Sequence, residues 1–161
     1  MVAGQGRGRV AITSGTRKMP PFEQSLGATL IEAKETVIAP LRPILREYRV
    51  TEPQWRVMRV INDRGATDAT GLAEVALLHP PSVTRILKEL EERKLVVREP
   101  DANDRRRTMV ALTAEGREFV KLISRTMMRI LREYSDRFGP DRLERLADEL
   151  RALSAAVRGV V

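Results

Sequence analysis

Residues 95–113 read Leu95-Val96-Val97-Arg98-Glu99-Pro100-Asp101-Ala102-Asn103-Asp104-Arg105-Arg106-Arg107-Thr108-Met109-Val110-Ala111-Leu112-Thr113. Two strand-like segments, Leu95-Val96-Val97 and Thr108 to Thr113, flank a turn-forming tip that carries three consecutive arginines. The pattern predicts a β-ribbon with guanidinium groups at its end. Such a shape can enter a narrow, electronegative groove, so nucleic acid is the first partner to test. The competing reading is a solvated charge run on a surface hairpin.

Immediately upstream, a helix is predicted from about Pro80 to Arg93. Val83, Ile86, Leu87 and Leu90 fall at i, i+3, i+4 and i+7, a core-facing stripe. Ser82, Arg85 and Glu89 lie opposite, flanked by Pro81, Thr84 and Lys88. Ser82, Thr84 and Arg85 are candidates for base-edge and phosphate contacts in a major groove, and Lys88 for a phosphate. Glu89, Glu91 and Glu92 keep the C-terminal half away from DNA. An ordinary amphipathic helix fits the same period; the adjacent ribbon is what favours DNA.

Further out, apolar residues from Phe22 to Tyr48 recur at helical spacing, with a kink expected at Pro40 and Pro43. Thr51-Glu52-Pro53 reads as a cap and first turn of a helix to about Asp63 that buries Trp55, Met58 and Ile61. A short helix with Leu72, Val75 and Ala76 on one side follows, stopped by His79-Pro80-Pro81. After the ribbon, Thr113 caps a long helix to about Arg137, with Phe119, Ile123, Met127, Ile130 and Tyr134 on its apolar face. Gly139-Pro140 breaks it. Leu143, Leu146, Leu150, Leu153 and Val157 then repeat every three or four residues. The expected fold is mainly α with a small β-wing: a winged helix-turn-helix domain plus a helical dimerisation region. The expected segments are a disordered basic arm at 1–21, an N-terminal dimerisation helix at 22–50, the DNA-binding domain at 51–113, and C-terminal dimerisation helices at 114–158.

The 161 residues carry a net charge of +7, but Arg7, Arg9, Arg17 and Lys18 in the acid-free first 21 residues account for more than half of it. Local placement of cations, not net charge, therefore carries the nucleic-acid argument. The arm reads either as an unstructured tail or as a segment touching DNA phosphates. With no cysteine, disulfides, cysteine zinc sites and thiol sensing are excluded. A single histidine leaves no His-rich metal site, and no cofactor is expected. No window approaches the roughly 18 apolar residues of a membrane span, and no secretory core opens the chain, so a soluble cytoplasmic protein is expected. An enzyme is not expected: acids interleave with bases as solvated ion pairs, and there is no paired acid/base set or Gly-rich phosphate loop.

The order of elements and two motifs resemble the MarR family of winged helix-turn-helix repressors. The family's wing signature, Asp-x-Arg, five residues, Leu-Thr, two residues, Gly, is similar to Asp104-x-Arg106 followed by Leu112-Thr113 and Gly116, without a gap. Pro81 to Leu87 resembles the recognition helix. Leu41-Arg42-Pro43 and Val50 to Arg56 are similar to the subgroup that represses homoprotocatechuate and related aromatic-acid degradation operons. Two departures stand out. Lys94 replaces the glycine that usually precedes the ribbon, and would cost on the order of 1 kcal/mol in a left-handed helix cap. Glu35 and Ile38 occupy the positions of two arginines that clamp an aromatic carboxylate in some relatives.

The resemblance implies a homodimer that reads a pseudo-palindromic operator on double-stranded DNA with two recognition helices about one turn apart. It makes Arg106 the minor-groove arginine, oriented by Asp104, with Arg105 and Arg107 near phosphates. It also implies release by a small aromatic carboxylate. Trp55 would floor the pocket, Arg42 and Arg59 would neutralise the carboxylate, Ile38 would add apolar wall, and His79 would border it. Simpler readings stand beside these: Trp55 as a core aromatic, Arg42 and Arg59 as surface charges, His79 as a helix cap. The alternative function is a winged-helix DNA-binding or architectural protein without a small-molecule ligand.

Overall fold

The computed structural model describes Met19, residues 21–101, Asp104 and residues 106–160. The basic arm, apart from Met19 and Pro21, and Arg105 lie outside the described residues. The chain divides into two compact units, Met1–Pro43 and Ile44–Val161.

In the first unit, a 3-10 turn (Phe22–Gln24) leads to Ser25, whose Oγ accepts a hydrogen bond from the Ala28 amide at 3.1 Å and caps helix α1 (Leu26–Ile38). No residue of α1 is buried, and Leu26, Leu30, Ile31 and Val37 are exposed. Pro40 has no N–H, and α1 gives way to a 3-10 turn (Ala39–Leu41) before helix α2 (Arg42–Glu47) begins; the expected kink is present. Arg42 donates to Glu35 Oε2 at 2.7 Å across that turn.

In the second unit, Thr51 and Gln54 form a reciprocal capping box at the start of helix α3 (Glu52–Arg64). Strand β1 (Thr67–Asp68) follows, then helix α4 (Ala69–Val75) and helix α5 (Pro80–Glu92). Strands β2 (Val96–Pro100) and β3 (Thr108–Leu112) form the ribbon, with Val97 opposite Ala111 and Arg98 opposite Val110. The antiparallel sheet runs β1-β3-β2. Val110 and Leu112 point inward, two residues apart as the pleat requires. Helix α6 (Ala114–Phe138) and helix α7 (Pro140–Ala156) complete the unit, separated by Gly139 at φ +94°.

The core is built where these elements cross. Val57, Met58 and Ile61 of α3 are buried, as are Leu72 of α4 and Val83, Ile86, Leu87 and Leu90 of α5; Val120, Ile123 and Met127 of α6 are buried too. The predicted stripe on α5 is therefore the buried one. On α6 the buried row is Gly116, Val120, Ile123 and Met127, with Val120 where the sequence reading placed Phe119. No residue of α7 is buried.

Three helices end in the same way on non-glycine residues. Arg49, Leu77 and Lys94 adopt φ of +52°, +53° and +57°. After α5, the Lys94 amide donates to Glu91 O at 2.8 Å and the Leu95 amide to Leu90 O at 3.0 Å. This is the paired bonding of a Schellman cap, with Leu90 and Leu95 both buried. Arg49-Val50 and Leu77-Leu78 repeat the pattern after α2 and α4. Among the described residues, no helix is long and apolar enough to cross a membrane.

Candidate nucleic-acid interface

The turn between α4 and α5 is short because Leu77 takes the left-handed conformation; its side chain is 80% exposed. Arg56 of α3 donates to Ala76 O at 3.0 Å and pins that turn from behind. Sequence reasoning did not single out Arg56, since neither period nor motif marks a residue that binds a backbone carbonyl twenty positions away. His79 occupies the N-cap position of α5 but makes no side-chain cap bond. The helix has little need of one: Pro80 and Pro81 bring no N–H, and the Ser82 amide donates to His79 O at 2.9 Å. His79 is thus the cap residue of α5, as expected, but it acts through its backbone carbonyl and not its imidazole.

With the apolar row of α5 inward, Thr84, Arg85 and Lys88 are exposed and Ser82 is half-buried. Thr84 Oγ1 donates back to Pro80 O at 3.3 Å, leaving its acceptor side open. Arg85 lies 3.9 Å from Glu89. Glu89 also accepts from Gln54 Nε2 at 2.8 Å, which joins the capping box of α3 to the C-terminal half of α5.

The wing tip closes through Asp101 N–H to Arg107 O at 2.9 Å. Asp104 Oδ1 accepts from the Arg106 amide at 3.1 Å and from Arg106 Nε at 3.2 Å. The expected Asp104–Arg106 pair is therefore present, and the Arg106 side chain is 92% exposed. Arg107 instead pairs with Asp68, the cap of α4. The Gly71 amide and the Arg107 guanidinium together hold the Asp68 carboxyl below its ordinary value, and the pairing raises that of Arg107. At the wing's root, Thr113 Oγ1 donates to Lys94 O at 2.7 Å and accepts from the Gly116 amide at 2.9 Å. A Cβ on Gly116 would lie 2.0 Å from Leu95 O, so only glycine allows this approach.

The residues considered for an effector divide between the units. Ile38 and Arg42 belong to the first; Arg42 pairs with Glu35 and lowers that carboxyl's pKa. Trp55, Arg59 and His79 belong to the second. Trp55 is buried, and the Arg59 guanidinium lies 5.8 Å from its ring centroid while donating to Asp63 at 3.1 Å. Arg59 Nε is buried without a hydrogen-bond partner. A groove of about 550 Å³ runs along α6, lined by Asn62, Val120, Ser124, Met128 and a row of cations that includes Lys121 and Arg125; none of the five effector candidates lines it.

A three-stranded wing behind a two-helix turn, with an exposed polar helix face and an arginine-bearing tip, defines the winged helix-turn-helix class. The MarR family model matches residues 50–108. The chain is 39% identical over 99 residues to the HTH-type transcriptional regulator FarR of Neisseria gonorrhoeae, covering 62% of this chain and 68% of that protein. It is 30% identical over 125 residues to the homoprotocatechuate degradative operon repressor of Escherichia coli, covering 78% and 84%. The crystal structure of NadR in complex with 4-hydroxyphenylacetate superposes with a TM-score of 0.75 at 33% identity, covering 84% of this chain and 96% of that one. The chain belongs to the MarR family of transcriptional regulators.

Proposed function

We propose that the chain is a homodimeric, sequence-specific DNA-binding repressor, cytoplasmic, and released from a pseudo-palindromic operator by a small aromatic acid. One observation carries the DNA half. Arg106 stands nearly fully exposed at the wing tip, oriented by Asp104. The exposed Thr84, Arg85 and Lys88, with Ser82 beside them, are the polar face of α5. Ser82, Thr84 and Arg85 read base edges and adjacent phosphates, Lys88 a phosphate, and Arg106 the minor groove. Residues 51–113 form the DNA-binding domain.

Dimerisation by residues 22–50 and 114–158 is supported by apolar residues left uncovered within one chain. Leu143, Leu146 and Leu150 of α7 and Val157 at its C-cap are all exposed, although their spacing is that of a packed helix. A dimer sets two recognition helices about one DNA turn apart. Release by an aromatic acid is supported by the relatives: one represses the homoprotocatechuate degradative operon, and NadR is seen with 4-hydroxyphenylacetate. Within the second unit, the Trp55 ring, with the Arg59 guanidinium 5.8 Å from its centroid, brings an aromatic side chain and a cation together.

Arg106→Ala tests the DNA half. Fluorescence anisotropy on a duplex selected by the wild-type protein from a randomised pool is expected to show affinity reduced by about ten- to a hundredfold, with the dimer intact by sedimentation. Undiminished affinity refutes the assignment. Thermal shift across a panel of aromatic acids tests the effector half: a ligand in excess raises Tm, and a flat panel favours a winged helix without a ligand.

A further inference from the structure

We propose that Asp68 and Arg107 form a clasp that fixes the wing against α4 and withholds one cation from DNA. Asp68 is then a specificity-determining residue that never touches the nucleic acid. This rests on the DNA-binding reading above.

Asp68 has three attachments. Its backbone belongs to β1, opposite Met109 of β3. Its carboxylate caps α4 by accepting from the Gly71 amide at 2.8 Å. The same carboxylate takes the guanidinium of Arg107, 39 residues away. Strand β1 is only two residues long, so two residue pairs are all the backbone pairing that joins it to β3. The ion pair extends that attachment past the end of β3 to the base of the wing tip, since Arg107 immediately precedes Thr108.

The two described tip arginines are held by different kinds of acid. Arg106 is held by Asp104, which belongs to the tip and moves with it. Arg107 is held by a residue of the helix-turn-helix, so that pair fixes where the tip sits relative to α4. A phosphate can take Arg107 only in competition with the Asp68 carboxylate, whose side chain is 25% exposed against 55% for Arg107. Asp101 and Asp104 add negative charge around the same guanidinium. The clasp therefore lowers sequence-independent attraction, which is set by the number of phosphates neutralised. It also keeps Arg106 at one height above the groove, where contacts specify sequence.

Asp68→Asn separates the roles of the residue, because asparagine caps a helix as well as aspartate but carries no charge. Binding of the selected duplex and of a random duplex of equal length is measured across a salt series. For Asp68→Asn, random-duplex affinity is expected to rise, with the slope of log K against log salt steeper by about 1.8, one further phosphate contact from each protomer of the dimer. The ratio of selected to random affinity is expected to fall. In an Arg107→Ala background the same substitution is expected to change neither quantity. A helix destabilised by a poorer cap would shift Tm but not the salt slope. Slopes and ratios equal to wild type, or an effect undiminished in the Arg107→Ala background, overturn the clasp. If the pool yields no preferred duplex, the sequence-specific reading fails by itself. The clasp is then decided by the carboxyl NMR titration of Asp68: Arg107→Ala moves the midpoint up if the pair exists in solution, and an unmoved midpoint overturns it.

Discussion

Lys94→Gly should stabilise this protein, although it removes a side chain and adds freedom to the unfolded chain. Lys94 sits at φ +57° as the left-handed residue that ends α5. For an L-residue with a Cβ that conformation costs roughly 1–2 kcal/mol. Glycine removes this cost but returns about 0.5–1 kcal/mol as extra entropy of the unfolded state. The side chain is exposed, so little packing is lost. The bonds that define the turn involve backbone atoms of Lys94: its amide to Glu91 O, and its carbonyl accepting from Thr113 Oγ1. All survive the substitution. The net gain is about 0.5–1 kcal/mol, or a Tm rise of about 1–4 °C for a chain of this size. Urea and thermal melts at one fixed chain concentration measure it, because the stability of the proposed dimer would depend on concentration. Lys94→Ala is the control: it deletes the ammonium and its stem but keeps the Cβ, and should stay within about 0.5 kcal/mol of wild type. Should Lys94→Gly melt at or below wild type, or Lys94→Ala gain as much as Lys94→Gly, backbone strain is not the cause and the reasoning is wrong.

Gly116→Ala should act in the opposite direction, losing about 1–3 kcal/mol in the same melts, because its Cβ would meet Leu95 O at 2.0 Å; a neutral result would mean that α6 can shift without cost. Acid should weaken the root of α4. The folded-state pKa of Asp68 lies below the ordinary aspartate value of 3.8, so its contribution is fully present above that value and is lost as pH falls from there through the lower folded value. Asp68→Asn should therefore flatten the acid limb of a stability-versus-pH curve, and an unchanged limb would count against the pairing. Leu146→Glu combined with Leu150→Glu, at positions 44% and 38% exposed in the single chain, should give a folded monomer by sedimentation; a persisting dimer would remove α7 from the interface.

Much of this fold follows from local rules. The row on α5, the caps at Thr51 and Thr113, and the break at Pro40 each depend on residues within one or two turns, so spacing alone reveals them. What spacing does not reveal depends on distant partners. Strand β1 has two residues, too few to show alternation, and exists because β3 offers an unpaired edge. On α6 both Phe119 and Val120 fit an apolar face with Ile123 and Met127. Val120 is the buried one, while Phe119 stands at the margin, edge-on to Tyr48 with ring centroids 6.0 Å apart and under the Arg93 guanidinium. In the candidate site, the pairing of Asp104 with Arg106 was implied by the resemblance of the wing signature, and it is present. The pairing of Arg107 with Asp68 was not legible, because that acid lies 39 positions upstream, outside any local pattern.

The spacing of the wing signature has a mechanical explanation, because its two ends do different things. Thr113 and Gly116 lock the root, one by bridging the Lys94 carbonyl and the Gly116 amide, the other by lacking a Cβ against Leu95 O. Asp104 and Arg106 form the tip. Between them lies β3, whose five residues span roughly 17 Å at the rise of an extended strand and so set how far Arg106 stands from the root. Removing Ala111 would shorten that reach by about 3 Å and also turn Val110, now buried, toward the opposite face. The length of the segment is thus fixed twice: under the proposed function by the groove the tip would reach, and in any case by the core its alternate residues must fill. The second constraint holds whether or not DNA is present, so a one-residue deletion in β3 would cost stability before it cost any contact with a base.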